Sequence, residues 1–276
     1  MFLSFNHCFC RYIPQLTEGA PYVRQLMKAF ILAAGRGRRL WPHTADCPKC
    51  LLDIGGITLL ERQLFQLKEV GITEIIVVGG FRMDSLASTV SKSGITNVRL
   101  VYNPFFAHSD NLISLWLARS YMDGPQILLN GDIIFNPNAL RDLISHESSC
   151  SILTQQKTSY LTDDMKIIAE DSLVKKIGKD LSCSHANAIS LGLLSFKETA
   201  VKVLQNSLEE IVYSEKSLVS YFPAVIQHMI DAGHPVCPLE VPAFNCSDVD
   251  TVADLELIRE EWHRYYPTNQ THFAGI

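Results

Sequence analysis

The chain has 276 residues, 47% of them hydrophobic, enough to bury a core as one large domain or two modest ones. Against 24 basic residues stand 29 acidic ones, and the net charge of -5 argues against a nucleic-acid protein, which needs a clustered basic excess. The longest apolar runs, such as 75–78 and 127–129, have strand length and fall far short of a bilayer span, so a soluble, cytoplasmic protein is expected.

Residues 1–26 have no strong period, and no basic segment precedes an apolar core as a signal peptide requires. The first clean strand opens at Met27-Lys28. The expectation is therefore an N-terminal extension over 1–26, either upstream of the true start or loosely attached, and one domain over 27–276.

From there strand and helix alternate. Residues 28–33 read as a buried strand, 59–70 as an amphipathic helix ending at Gly71, and 74–78 as a second strand closed by Gly79-Gly80. A helix over 84–91 and a strand over 98–102 follow, then a helix over 111–121 that Asn111 and Ser114 are expected to cap. Residues 127–130 form a fourth strand, and Asn136-Pro137 opens another helix. This rhythm predicts an α/β fold: a Rossmann-like, mixed and mostly parallel sheet with helices on both faces. After about residue 150 the pattern shifts. Residues 165–169 and 173–177 flank Glu170-Asp171-Ser172 as an antiparallel hairpin, 189–196 is a strand, and helices lie near 197–208 and 219–232. This half is expected to form a small β-rich lobe on the acceptor side. Thr251-Val252-Ala253-Asp254 is a capping-box pattern opening a last helix that runs to about Tyr265.

The eight cysteines show no repeated spacing. Cys47-Pro48-Lys49-Cys50 has the CxxC form without a second pair at zinc spacing, and free thiols are the plainer reading.

The chemistry concentrates where the first strand ends, in Ile31-Leu32-Ala33-Ala34-Gly35-Arg36-Gly37-Arg38-Arg39-Leu40-Trp41-Pro42. Small residues there let backbone N–H groups approach an anion, and Arg36, Arg38, Arg39 and, past Pro48, Lys49 supply the cations a triphosphate needs. A dinucleotide-binding turn would want glycine at position 40, where leucine stands; a Walker loop would want GK[ST], which is absent; a solvated basic turn is the plain alternative. A second feature is Gly131-Asp132 just past the fourth strand, at the same carboxyl edge. Alone, such an aspartate is as easily a helix cap.

The segment from Leu32 to Pro42, with Pro48-Lys49 behind it, resembles the LAAGxGxRxxP…PK motif of the pyrophosphorylase-type nucleotidyltransferases, which include sugar-phosphate nucleotidylyltransferases and bacterial phosphocholine cytidylyltransferases. The resemblance implies that Leu32, Ala33, Ala34, Gly35, Arg36 and Gly37 form a nucleotide-binding loop with Gly131. It makes Arg39, Lys49 and Asp132 the catalytic set and Asp132 a magnesium ligand. Asp248-Val249-Asp250-Thr251 resembles the DxDTxEDL segment of many cytidylyltransferases, which makes Asp250 the second Mg2+ ligand; Asp248 is its rival or co-ligand, and Asp250 could equally cap the last helix. Ser109-Asp110-Asn111-Leu112-Ile113-Ser114-Leu115 resembles the [ST]NNxxSLxxA segment of phosphocholine cytidylyltransferases, which implies nucleotide contacts from Asn111 and Ser114 and CTP as donor. Asp110 departs from that pattern. Lys179 falls near the lysine that holds the acceptor phosphate in sugar nucleotidylyltransferases, and Tyr221 is a candidate wall for a quaternary ammonium.

The implied reaction is Mg2+-dependent transfer of a cytidylyl group from CTP to a small phosphorylated acceptor such as phosphocholine, with release of pyrophosphate. Pro223 and Ala224 stand where relatives carry an acid, and Ile189 where sugar-phosphate enzymes use glutamate, so the acceptor stays open. A hexose-1-phosphate nucleotidylyltransferase is one alternative. A catalytically inactive nucleotide-binding regulatory protein is another, although such proteins tend to lose the lysine or the metal aspartate, and Lys49, Asp132 and Asp250 are all present.

Overall fold

In a computed structural model the chain is described over residues 27–242 and 245–265; the extension expected over 1–26 lies outside the described residues. The elements in chain order are β1 (Lys28–Ala33), β2 (Asp53–Ile54), β3 (Ile57–Thr58), α1 (Leu59–Glu69), β4 (Glu74–Gly79), α2 (Met83–Lys92), β5 (Val98–Tyr102), α3 (Asn111–Leu117), β6 (Gln126–Asn130), β7 (Ile133–Phe135) and α4 (Pro137–Ser145). Then come β8 (Cys150–Gln155), β9 (Lys166–Glu170), β10 (Leu173–Gly178), β11 (Ala188–Phe196), α5 (Glu198–Val212), α6 (Pro223–Asp231), β12 (Cys237–Glu240), β13 (Cys246–Asp248) and α7 (Val252–Glu261).

Among the described residues the main sheet has nine strands in the order β10-β9-β11-β6-β1-β4-β5, with β8 and β12 attached beside β11. Strands β5, β4, β1 and β6 are mutually parallel, and β8, β9 and β12 run the same way; only β10 and β11 are reversed. The sheet is therefore mixed and mostly parallel, as the strand–helix rhythm predicts. From β1 the chain steps to β4 and β5 on one side, then returns to β6 on the other. The carboxyl ends of β1 and β6 thus flank the point where the winding reverses, the place where open α/β sheets leave a crevice.

Alternation along β1 explains the two-sided cover. Phe30 and Leu32 face a cluster built with Leu112 and Leu115 of α3, Leu204 and Leu208 of α5, and Val225 and Ile226 of α6. Ala29, Ile31 and Ala33 face the opposite cluster, with Leu60, Leu64 and Leu67 of α1, Leu86 of α2 and Leu140 and Leu143 of α4. A third cluster, including Leu40, Leu59, Ile134, Val249 and Leu255, fastens the segment after β1 to α7.

The expected hairpin is β9–β10, and its turn residues Asp171 and Ser172 both have positive φ, as a two-residue hairpin turn demands. Two expectations need correction. The helix expected over 111–121 stops at Leu117, and Arg119–Tyr121 is a separate tight turn. Nor do Asn111 and Ser114 cap it. Asp110 holds the N-cap position without a side-chain cap bond, while Asn111 and Ser114 are spent on other segments.

Candidate active site

Two adjoining hollows of about 440 and 390 Å³ open at the crevice and share Leu32, Gly35, Arg39, Asp110, Asp132, Tyr221 and Asp250 in their walls. The loop after β1 is pinned from both ends. Gly37 takes φ 67°, a left-handed conformation, and opens the single turn Arg38–Leu40, whose Leu40 is fully buried. A Cβ on Gly37 would lie 2.9 Å from the Lys49 Cβ, so the glycine lets the aliphatic stem of Lys49 pack directly on the loop. Thr44 Oγ1 donates to the Gly37 carbonyl at 2.8 Å.

The carboxylate side is built with equal economy. Gly131 N donates to Leu32 O at 2.9 Å, and a Cβ at Gly131 would meet Ala33 Cβ at 2.6 Å. From α1, the buried Gln63 donates to the carbonyls of Asn130 and Ile133 at 3.0 and 2.8 Å, and Gln66 to that of Phe135 at 2.7 Å. These two side chains hold the turn that carries Asp132. Strand β13 then pairs antiparallel with β7, with Asp248 opposite Ile133, and Val249 N donates to Asp132 O at 2.9 Å. That register sets Asp250 beside Asp132. Since β7, rather than a helix, follows Asp132, the capping alternative for this residue falls away. Asp250 does not cap α7 either: Thr251 and Asp254 form the capping box, which leaves the Asp250 carboxylate for other partners.

Lys49 Nζ donates to Asp132 Oδ2 at 2.7 Å and to Asp250 Oδ1. Burial works against the Lys49 charge, but the charges of Asp132 and Asp250 outweigh it and hold its pKa above the ordinary value. Arg39 donates to Asp250 Oδ2 at 2.7 Å and to Asp163 Oδ2, and Lys179 Nζ reaches Asp163 Oδ1 at 2.6 Å. Burial works against the Asp250 carboxylate, yet Lys49 and Arg39 keep it below the usual range. Asp248 is the reverse case: burial, then the nearby charges of Asp250 and Asp132, push it up to about 6. Lys49, Arg39 and Lys179 are thus tied through Asp132, Asp250 and Asp163 into one network across the cleft.

No group of three or more His, Cys, Asp or Glu side chains among the described residues forms a metal cluster. The donor set suits magnesium nonetheless. Asp132 Oδ1 is buried without a hydrogen-bond partner, and Asp132 and Asp250 share the crevice wall, matching an ion that takes one or two carboxylates and completes its shell from phosphate and water.

Of the other residues singled out in the sequence, Leu32, Ala34, Gly35, Asn111, Ser114, Lys179 and Tyr221 line the larger hollow, and Leu32, Ala33, Gly35, Gly37 and Gly131 the smaller. Asn111 Oδ1 accepts from Phe222 N at 2.8 Å and its Nδ2 donates to Asn130 Oδ1 at 3.3 Å. This joins α3 to the segment carrying Tyr221, whose ring lies 4.5 Å from Lys179 Nζ. Buried Ser114 accepts from Asn103 at 3.0 Å. Arg36 lines neither hollow; its guanidinium lies 5.1 and 5.5 Å from the rings of Phe81 and Phe106. Cys50 is buried with its thiol pushed up to about 12, and it therefore offers no thiolate at neutral pH. Asp163, Gln63, Gln66 and Asn130 were missed from the sequence. Only a pair of buried polar residues on the apolar face of α1 could have flagged the glutamines.

Residues 29–238 match the family model for the MobA-like NTP transferase domain. Choline-phosphate cytidylyltransferase of Streptococcus pneumoniae is 34% identical over 161 residues, 56% of this chain and 68% of that protein. CTP:phosphoglutamine cytidylyltransferase of Campylobacter jejuni is 24% identical over 252 residues, covering 84% of this chain and 98% of that one. Among solved structures, CTP:phosphocholine cytidylyltransferase of Streptococcus pneumoniae superposes with a TM-score of 0.74 at 24% identity, over 86% of this chain and 99% of that one. The inositol-1-phosphate CTP transferase of T. maritima follows at 0.71 and 20%, over 87% and 96%. The chain belongs to the MobA-like NTP transferase family and is a nucleotidyltransferase.

Proposed function

We propose that the protein transfers a cytidylyl group from CTP to a small phosphorylated acceptor of the phosphocholine type, with Mg2+, and releases pyrophosphate in the cytoplasm. The observation that carries the transfer reaction is the convergence of Arg39, Lys49, Asp132 and Asp250 at the point where the sheet's winding reverses. The choice of CTP draws support from the relatives named above and from the Ser109–Leu115 segment that borders the larger hollow. No described helix is long and apolar enough to cross a membrane.

The main obstacle to the reaction is bringing two polyanions together, so positioning and charge supply most of the catalysis. An acceptor phosphate oxygen attacks the α-phosphorus in line, the bond to the bridging oxygen breaks, and pyrophosphate leaves. Lys49 moves from its carboxylates to the α-phosphate, where its positive charge offsets the charge that builds there. Arg39 and the N–H groups of the glycine loop hold the departing pyrophosphate. Asp132 and Asp250 would hold the magnesium, which would supply Lewis-acid neutralisation of charge on the phosphates. Lys179 takes the acceptor phosphate and Tyr221 walls the far side. The acceptor is already ionised, so no general base is required.

The test is a panel of nucleoside triphosphates and acceptors, with and without MgCl2, read by pyrophosphate release. CTP with phosphocholine or a similar phosphorylated alcohol should turn over. Turnover with a hexose 1-phosphate and none with CTP and phosphocholine would sink this reading.

A further inference from the structure

Asp163 sits where the transfer reaction has no obvious use for an acid. Its two carboxylate oxygens are divided between two cations of the cleft, Oδ1 on Lys179 at 2.6 Å and Oδ2 on Arg39. One carboxylate thereby spans a lysine and an arginine in the manner of a phosphate monoester.

The loop that delivers it is closed from the inside. Lys166 is 1% exposed, and its ammonium bonds three backbone carbonyls, those of Leu161, Thr162 and Asp164, at 3.2, 2.9 and 3.2 Å. The Asp164 carboxylate accepts from Leu161 N at 2.8 Å and from Lys157 at 2.9 Å, both within the same loop. Both acids border the larger hollow, but only Asp163 of the pair gives its carboxylate to cations across the cleft. Its side chain and that of Arg39 are each more than half exposed, so an incoming anion can reach and replace the contact.

We propose that Asp163 is an internal competitor for the substrate phosphates, the acceptor's at Lys179 and the donor's at Arg39, and sets the affinity threshold an anion must pass to occupy either cation. This rests on the reading that Lys179 receives the acceptor phosphate. A tethered carboxylate acts at a high effective concentration and lowers the affinity of every free anion by one common factor. Monoanions, which bind two cations weakly, fall out of range. A phosphate dianion, with twice the charge and three oxygens, starts tighter and stays within it. The carboxylate also keeps Arg39 and Lys179 from repelling each other before substrate arrives.

The test is calorimetric titration of the full chain with inorganic phosphate, without CTP or an organic acceptor. Asp163→Asn removes the competing charge at an exposed position where folding is not at stake. It should tighten phosphate binding by up to about fivefold, the worth of an ion-pair partner at a half-exposed site. Adding Lys179→Ala to Asp163→Asn should abolish that gain. Asp110→Asn removes a charge that Lys179 feels through space without an ion pair, and it should change the affinity less than twofold. An unchanged dissociation constant in Asp163→Asn would overturn the proposal, and so would an equal gain in Asp110→Asn, since net charge alone would then explain it. Failure of the CTP panel leaves this measurement standing, and failure of this measurement leaves nucleotidyl transfer untouched.

Discussion

Replacing Gly131 by alanine probes the joint between the two halves of the site. The added Cβ would lie 2.6 Å from Ala33 Cβ, 2.9 Å from Ala33 Cα and 3.1 Å from Leu32 O. Ordinary contact between such atoms needs ~3.5–4 Å, so the two backbones must part by about 1 Å. None of the opposing atoms is the end of a flexible side chain, and Gly131 N also donates to Leu32 O, so the strain falls on the β1–β6 junction itself. Overpacking of this kind costs ~1–3 kcal/mol. The same shift separates the glycine loop from Asp132, and a displacement of ~1 Å at a reacting centre costs ~10²-fold in rate. Urea denaturation and steady-state pyrophosphate release measure the two effects on one preparation. Gly35→Ala supplies the contrast, because a Cβ there meets nothing within 4 Å. Its stability should match the parent or exceed it slightly, while nucleotide affinity falls because the loop can no longer approach phosphate closely. If Gly131→Ala kept both its unfolding midpoint and its turnover, the close approach of β1 and β6 would not be what positions Asp132.

Two further changes are informative. Lys49→Met should lower turnover by ~10²–10³. It should also destabilise the fold by less than the ~3–5 kcal/mol of a broken fully buried pair, because Asp132 and Asp250 remain about a quarter exposed and Arg39 still serves Asp250. Added MgCl2 should restore part of that stability in urea titrations; no response to MgCl2 would speak against Asp132 and Asp250 as its ligands. Far from the cleft, hydrogen bonding from Arg99, followed by Lys28, holds the Glu74 carboxyl below the usual range despite a little burial. A depressed pKa stabilises above the unfolded value and loses that contribution as pH falls through the folded value. Glu74→Gln should therefore cost under ~1 kcal/mol at pH 7, and the gap should close as the solution is acidified below about pH 4. A gap that persisted in acid would mean the glutamate acts by packing instead of charge.

The fold was legible because its cues are local. Apolar runs of strand length, the Thr251–Asp254 capping box and the Asn136-Pro137 helix start all stand where pattern alone puts them. The glycine loop and Asp132 drew attention for the same reason, since both follow strands directly, but only the family resemblance gave them roles. What escaped notice depends on pairing across distance. Strands β7 and β13 are three residues each, too short for a period, yet their register decides that Asp250 rather than Asp248 meets Lys49. Gln63 and Gln66 lie on a helix face that ought to be apolar, and their bonds to the carbonyls of 130, 133 and 135 become visible only once α1 is laid on the sheet. Asp163 carries no local signal at all. It matters because a buried lysine three residues later turns its loop outward.

The β7–β13 pairing also bears on how the protein matures during synthesis. The parallel core from β1 to β6 is assembled from residues up to 130, and with it the cationic loop and Asp132 are already present. Asp250 arrives more than a hundred residues later, on the far side of the strand that closes against β7. As the chain emerges from the ribosome, Arg39 lacks one of its two acidic partners and Lys49 has only Asp132 until that late segment docks. Every strand of the main sheet, through Glu240, is therefore made before the site gains its second carboxylate. Acquisition of activity should lag formation of the sheet, reporting the last long-range contact to form and not the first.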